Sequence, residues 1–528
     1  KVKMKRKETS PTLKSRQVPP LPLAPNPGGA ECISFAGNAP LPANIRPAIV
    51  LKGSDYDMGY QFFQQSAEVW GPWVASHQWV GFLWAFVPIH QEEYTKEEIK
   101  ALEAFQWYIK QDAPEWIDFM KGMAAGANDS GIPITYNDVL ALFARRNEIE
   151  GGVPSYPGTE PAGSEKEELP SSEHCSGFAA WGSATKDSRV IASGSGDHTL
   201  KFEITIVVYP ETGNSYIYAP YRTMCLAGSG MPGMNDKGLC YAHHGGFNSR
   251  GIQVKQYGTP TGLYLLHTLR FANNAREAEV ISDSLHPQDN AHNGFWVDVK
   301  GDAFIRESKD RIRRAGDLGE GDFLHSANNG IHPDSSSPGE TYYEHGGWGA
   351  ADLSKPGNYS VNRNLYMWSM LHNYHGEVDL EFAKMMWRHP SDDPANPTIS
   401  HLSNCAVAVI QPDKLLWHEA SRCPARSPTL GIFNGDNYIV NPVHSFYQLR
   451  LGDNPAEVTQ ATHDQAKKNL YSADRELRKL NWSDVAYAPL DKIFNQAVTD
   501  WYVGQHYLYL SSRTPENESI YSYAKATR

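Results

Sequence analysis

Cys175 is the residue on which chemistry could turn. A polar run rich in Gly, Pro, Ser and Glu, residues 151–174, ends there, and the chain continues Cys175-Ser176-Gly177-Phe178-Ala179-Ala180-Trp181-Gly182. The run has the composition of a solvated loop with almost nothing to bury. The small and aromatic residues after it read as a buried strand. A cysteine at such a junction is either a core thiol that happens to start a strand, since unpaired cysteines are among the most buried residues, or a nucleophile. The second reading takes a specific form. If the His174–Cys175 bond is cut, the thiol lies beside its own new α-amine. Reference pKa values of about 7.7–8.0 for such an amine and about 8.5 for a thiol make proton exchange between them nearly balanced at neutral pH. The amine can then take the thiol proton and later return one to a leaving group, doing the work of a separate histidine.

Other groupings carry less. Gly228-Ser229-Gly230-Met231-Pro232-Gly233 fits a dinucleotide fingerprint by letter, but Pro232 stands where the helix should begin. His243 and His244 could be metal ligands, yet neighbours on a strand face opposite ways, and no His-Glu-x-x-His pattern occurs. His198 beside Asp197 reads as a site-wall or hydrogen-bonded histidine. There is no Gly-x-Ser-x-Gly elbow and no phosphate-binding loop. Six cysteines, at 32, 175, 225, 240, 405 and 423, include no Cys-x-x-Cys pair and are too scattered for a disulfide scaffold or structural zinc. No metal and no cofactor is expected.

A scaffold must position these groups. With 528 residues the chain can hold two to four ordinary domains or one large layered domain with a satellite. Hydrophobic residues at 40% and charged residues at 20% describe a globular chain. A net charge of −12 argues against nucleic acid or an anionic membrane as the main partner. The longest apolar run, Trp79 to Ile89, falls short of the roughly 20 residues of a membrane-spanning helix, so no membrane span is expected. The basic start, Lys1 to Lys7, is not followed by a hydrophobic stretch and does not read as an intact signal peptide. The compartment stays open: cytoplasmic, or secreted or periplasmic if a leader has been removed. Asn-x-Ser sequons at 128, 358, 481 and 517 matter only in a chain secreted by a eukaryote.

Residues 1–45, rich in Pro, Lys and Ala, read as an arm. Residues 46–150 read as one strand, Ile49 to Ser54, followed by helices. Thr95-x-x-Glu98 and Thr135-x-x-Asp138 open two of these helices, and Trp116, Phe119 and Met120 line another. After Cys175 the texture becomes strand-rich: Ser176–Gly182, Val190–Ser195, Phe202–Tyr209, Ser215–Pro220 and Gly238–His244. A helix over Ala275–Leu285, a hairpin around Lys300-Gly301-Asp302 and helices over Val361–Tyr374 and Leu380–Arg388 follow. A second hairpin turns at Pro412-Asp413-Lys414. Strands, then helices, then strands suggest an α+β fold of sheets stacked between helical layers. Residues 431–528 show only aromatic strands and a helical stretch near Asp453–Lys479.

Pieces in this order resemble the cysteine-type N-terminal-nucleophile hydrolases, specifically the acyl-coenzyme A:6-aminopenicillanate acyltransferase-like group, with penicillin V acylases and bile salt hydrolases as wider kin. They are Leu51-Lys52-Gly53-Ser54 with Met58-Gly59-Tyr60-Gln61, Gly122-x-Ala124-x-Gly126, Tyr136-Asn137-Asp138, Arg146-Asn147-Glu148 and Cys175-Ser176-Gly177-Phe178-Ala179. Met234-Asn235-Asp236-Lys237-Gly238-Leu239, Ala327-Asn328-Asn329, Ser360-x-x-Arg363, Gly376 to Glu381 with His389, and Thr398-Ile399-Ser400 complete the set. The resemblance runs from about residue 50 to about residue 425. It implies a four-layer αββα sandwich with a mainly helical N-terminal pro-segment. The divisions are then pro-segment 46–150, processing linker 151–174, catalytic core 175–430 and an extension, 431–528, packed on the core. It also implies autocleavage between His174 and Cys175, with fragments 1–174 and 175–528 remaining associated.

By the same resemblance Asp197 is the acid that orients the new ammonium, Asn328 the oxyanion amide, and Arg363 a charge favouring the thiolate or holding a substrate carboxylate. A second oxyanion donor is a backbone N–H within His243 to Gly245, with His198, His244 and Gly245 as wall. Each has a blander reading: a Gly-Asp-His turn, an Asn-Asn-Gly turn, a surface ion pair. Penicillin acylases and bile salt hydrolases carry an arginine three residues before the acid. Here that position is Gly194, and its missing bulk is expected to enlarge the pocket. The implied activity is amide hydrolysis or acyl transfer on a small-molecule amide or acyl donor, through a Cys175 thioester. The alternatives are a phospholipase B-like ester hydrolase and a catalytically silent binding or assembly relative. A homo-oligomer is compatible with either.

Overall fold

The computed structural model describes residues 48–65, 94–129, 134–144, 175–197, 205–220, 232–245, 257–287, 292–308, 311–328, 359–388, 398–400, 404–421, 426–428, 438–440 and 446–453, with a few isolated positions beyond. The expected arm (1–45), the linker (151–174), the Trp79–Ile89 run and most of 431–528 lie outside these residues.

Strand β1 (Ala48–Gly53) leads into α1, residues 55–65, whose first turn is capped by Ser54: Asp57 N–H donates to its Oγ. Helix α2 (Lys96–Asp112) opens with a complete capping box, Thr95 Oγ1 accepting from Glu98 N–H and Glu98 answering to Thr95 N–H. Helix α3 is Glu115–Asp129, and α4 (Tyr136–Phe143) opens on the reciprocal Thr135–Asp138 pair. Helices α1 and α3 cross with their backbones in contact. A Cβ on Gly59 would sit 1.9 Å from Phe119 O, and one on Gly122 would sit 2.0 Å from Tyr56 O. Sterics at this crossing therefore require the glycines of two of the sequence pieces quoted above.

Beyond Cys175 come β2 (Ser176–Ala180), β3 (Ile191–Asp197), β4 (Thr205–Pro210), β5 (Tyr216–Tyr218), β6 (Pro232–Asn235) and β7 (Cys240–Gly245). Helices α5 (Thr261–Phe271) and α6 (Ala275–Ser284) precede β8 (His292–Val297), β9 (Ala303–Ser308), β10 (Arg311–Arg313) and β11 (Phe323–Ala327). Then follow α7 (Tyr359–Asn373), α8 (Leu380–Arg388), β12 (Asn404–Gln411), β13 (Leu416–Ser421), β14 (Arg426–Pro428), β15 (Tyr438–Val440) and β16 (Tyr447–Arg450). An eight-stranded sheet has the order β1-β4-β5-β6-β7-β8-β9-β10, a six-stranded sheet the order β11-β2-β3-β12-β13-β16, and β14 pairs with β15.

This is a mixed α+β fold with three apolar clusters. One joins residues of α1–α6 to one face of the eight-stranded sheet. A second lies between the sheets, and a third joins the six-stranded sheet to α7 and α8. Strand alternation sorts side chains among them. On β7, Cys240 and Ala242 enter the inter-sheet cluster while Tyr241 enters the helical one.

Several expectations need correcting. Residues 46–150 do not form a helical unit of their own, because β1 pairs in parallel with β4, Ala48 opposite Thr205 through Gly53 opposite Pro210. The boundary at 430 does not stand either: β16 pairs along β13 and finishes the six-stranded sheet, so part of the expected extension belongs to the core. Strand β2 stops at Ala180, since the chain turns into a short 3-10 segment, Gly182–Ala184, with Gly182 at φ +51°. Strand β6 occupies the end of the Gly-rich stretch that mimics a dinucleotide fingerprint, and no helix follows it directly.

Candidate active site

Cys175 immediately precedes β2, which lies between β11 and β3 in the six-stranded sheet. The residue is fully buried and is not part of a disulfide. Both of its main-chain polar groups are held by distant side chains. Its N–H donates to Asn328 Oδ1 at 2.8 Å. Its carbonyl accepts from Arg363 Nη1, which also donates to Ser176 Oγ at 2.7 Å, and Arg363 Nη2 donates to Asn328 Oδ1 at 2.8 Å.

The elements explain this meeting. Strand β11 runs antiparallel to β2 with Ala327 opposite Ser176, so Asn328, one residue past β11, arrives beside Cys175. Ser176 and Phe178 face the α7 side, where Arg363 reaches down from its helix. Asn328 and Arg363 are themselves buried. Both neighbours of Asn328 Oδ1 are pure donors, which settles the amide orientation: the oxygen faces Cys175 and Arg363, and the NH2 group turns away from them.

The structure thus brings together three residues that the sequence singled out: Cys175, Asn328 and Arg363. Asp197 closes β3 opposite Asn404. Ser195, two residues before it, pairs with Ser176, so the backbone of Asp197 lies at the Cys175 end of the sheet. His174 and His198 lie outside the described residues. Gly245 closes β7 opposite His292. His244 precedes it on the β7 face that looks toward the six-stranded sheet. Burial, with Arg363 adding to it, lowers its pKa to about 3 and keeps the imidazole neutral.

Sequence reasoning gave no role to Ser176, Ser195 or Asn404. Asn404 Nδ2 donates to Ser195 Oγ at 3.1 Å and to Ile399 O at 3.2 Å, which ties β12 to β3 beside the site. The alternation of Cys175-Ser176-Gly177-Phe178 carried the signal for Ser176, since a strand starting at Cys175 must put Ser176 on the opposite face.

The enlarged pocket expected at Gly194 is not there. A Cβ at that position would lie 2.6 Å from Ala242 Cβ, and one on Gly177 would meet Phe295 and Ala242 at 3.0 and 3.1 Å. The two sheets close over these glycines, so no room is left for an arginine. Cys240 is a different kind of thiol: burial, with Asp298 adding to it, pushes its pKa well above the ordinary value and keeps it protonated. A Ser183–His375–Asp322 grouping fails as a triad. Asp322 bonds Ser183 and not the histidine, while His375 Nε2 sits 2.9 Å from Gly321 O and so carries the hydrogen there. No group of three metal-ligating side chains occurs among the described residues, and no helix among them is long and apolar enough to cross a membrane.

No protein-family profile and no curated protein matches the chain. Among solved structures it is similar to the penicillin V acylase of Agrobacterium tumefaciens, at 14% identity and a TM-score of 0.32 over 53% of this chain and 93% of that one. It is also similar to a mutant of the conjugated bile acid hydrolase of Clostridium perfringens, at 12% identity and a TM-score of 0.28 over 52% of this chain and 96% of that one.

Proposed function

We propose that the chain is a self-processing amide hydrolase or acyltransferase of the cysteine N-terminal-nucleophile type, built as a four-layer αββα sandwich. It cuts its own His174–Cys175 bond and then uses Cys175 as nucleophile. The observation that carries this reading is the grip on the main chain of Cys175, its N–H on Asn328 and its carbonyl on Arg363. A cysteine acting through its side chain alone needs no such hold. One whose α-nitrogen is to become the base needs that nitrogen fixed.

In the cutting step the Cys175 sulfur bonds to the carbonyl carbon of residue 174 as the peptide C–N bond breaks, leaving a thioester. Water then releases the carboxylate of residue 174 and the α-amine of Cys175. In turnover the amine takes the thiol proton, sulfur attacks the substrate acyl carbon, and the Asn328 NH2 donates to the oxygen on which charge develops. The amine returns the proton to the leaving amine, and water or a second amine takes the acyl group from sulfur. Asp197 orients the ammonium, and Arg363 fixes Cys175 and Asn328 relative to each other. No cofactor enters these steps.

A denaturing gel with N-terminal sequencing tests the first step. A fragment beginning Cys-Ser-Gly-Phe in the wild type and absent from Cys175→Ala is expected. A single intact band in both would sink self-processing. The mass of an acyl adduct on Cys175 after exposure to amide and ester substrates tests the second step and separates amide from lipid-ester chemistry.

A further inference from the structure

His244 has a place in the fold that its burial does not explain. Ala242, two residues earlier on the same face of β7, is what a Cβ on Gly177 or on Gly194 would strike. That face therefore rides directly over β2 and β3. The next residue along it is His244, within electrostatic reach of Arg363, whose guanidinium holds Cys175 and Asn328. The imidazole is 0% exposed, and neither ring nitrogen has a hydrogen-bond partner among the described residues. Leaving a buried polar group unsatisfied costs about 1–3 kcal/mol. Such a cost is kept in native structures where function needs the group. A neutral imidazole has one N–H and one bare nitrogen. With its pKa lowered to about 3 it is a poor base at neutral pH, but it remains a hydrogen-bond donor across the whole working range.

Building on the function proposed above, we infer that the His244 imidazole N–H donates to the carbonyl oxygen of the acyl group that Cys175 attacks, alongside the amide of Asn328. The proton stays on His244. As the sulfur–carbon bond forms, the carbonyl π pair moves onto oxygen, and the donor gains strength from the charge that develops there. His244 thus binds the transition state more tightly than the ground state.

The test uses the full chain with p-nitrophenyl acetate. Cys175 sulfur bonds to the acetyl carbon, the C–O bond breaks, and p-nitrophenolate leaves with the electron pair and is read by its absorbance. Iodoacetamide serves as control, since it alkylates the same sulfur at a saturated carbon and develops no oxyanion. His244→Leu is expected to slow the acylation burst by about 10²–10³-fold, the usual effect of deleting one oxyanion donor. His244→Gln, which keeps a donor, should recover most of that loss. Alkylation of Cys175 should stay within about twofold of wild type in both variants. Wild-type acylation in His244→Leu, or equal slowing of acylation and alkylation, would overturn the inference and leave the proposed function standing. A wild-type burst that survives in Cys175→Ala, or no burst at all, would remove both.

Discussion

Asn328 performs two jobs that one substitution separates. Its Oδ1 accepts from Cys175 N–H and from Arg363 Nη2, each at 2.8 Å, while its NH2 is the proposed donor to the reacting carbonyl. Aspartate has the same shape and two acceptor oxygens, so Asn328→Asp keeps both contacts and loses only the donor. Asn328→Leu removes everything and strands two buried donors. At about 1–3 kcal/mol for each unsatisfied group, the leucine variant should lose about 2–6 kcal/mol of stability. The aspartate variant should keep its urea midpoint, because a carboxylate facing Arg363 replaces one good acceptor with another. Self-cleavage and p-nitrophenyl acetate acylation should nevertheless fall about 10²–10³-fold in Asn328→Asp. Tryptophan fluorescence in urea reports stability, and a gel time course with the acylation burst reports chemistry. Near-wild-type acylation in Asn328→Asp would refute the donor role. A loss of stability as large as that of Asn328→Leu would refute the claim that Oδ1 alone holds the site together.

Three further outcomes follow from the packing and the charges. Gly122→Ala should destabilise by about 1–3 kcal/mol, as an overpacked contact does. In an unobstructed helix the same change stabilises by about 1 kcal/mol, so the sign of the shift in urea midpoint tests the 2.0 Å approach to Tyr56 O. Gly194→Arg should lower the urea midpoint and not create a substrate contact, since its Cβ would meet Ala242 Cβ at 2.6 Å; a variant as stable as wild type would contradict the closed sheets. His244, His325 and His418 all have pKa values lowered from 6.5 to about 3, by burial above all, with Arg363, Arg313, or Lys384 and Lys414 adding to it. The unfolded chain protonates them below about pH 6.5 and the folded chain does not until about pH 3. Stability is therefore full above 6.5 and falls with acid in between, by about 1.4 kcal/mol per pH unit for each histidine. His418→Gln should flatten that slope, and urea midpoints independent of pH between 6.5 and 4 would count against the burial.

What could be read from the sequence was local. The Thr95 and Thr135 boxes, the Asn274 cap of α6 and the two hairpin turns act over three or four residues, and the structure has them where the letters put them. Helix α5 escaped because Pro260 precedes it with no side-chain cap, and its run Leu263-Tyr264-Leu265-Leu266 suits a buried strand as well as a helix. The site was legible as a set of residues through resemblance, but its wiring was not. The Cys175–Asn328 bond spans 153 residues and the Cys175–Arg363 bond 188, and only the β2–β11 register and the seat of α7 bring them together. Gly194 misled for a related reason. A missing side chain signals space only when nothing else approaches, and the approach of Ala242 is a property of two sheets.

The division at residue 174 illustrates the same point. By composition, residues 151–174 look like a seam between two domains. Across that seam, however, β1 is laddered to β4, and one apolar cluster includes Phe62, Trp116 and Phe143 together with Tyr218, Leu266 and Trp296. Polar ties cross it as well. Asp55 takes Arg270 at 2.6 Å, Glu115 takes His267 at 2.8 Å, and buried Asp112 accepts from Thr259 Oγ1 and from His286 N–H. Removing residues 1–174 would expose the helical face of the eight-stranded sheet and leave Arg270 without its carboxylate. Cutting the single bond before Cys175 breaks none of these contacts. It changes one chemical group, turning a peptide nitrogen held by Asn328 into an amine beside a thiol. A seam that divided the fold would destroy the site it created, and one that runs through a shared core can arm it.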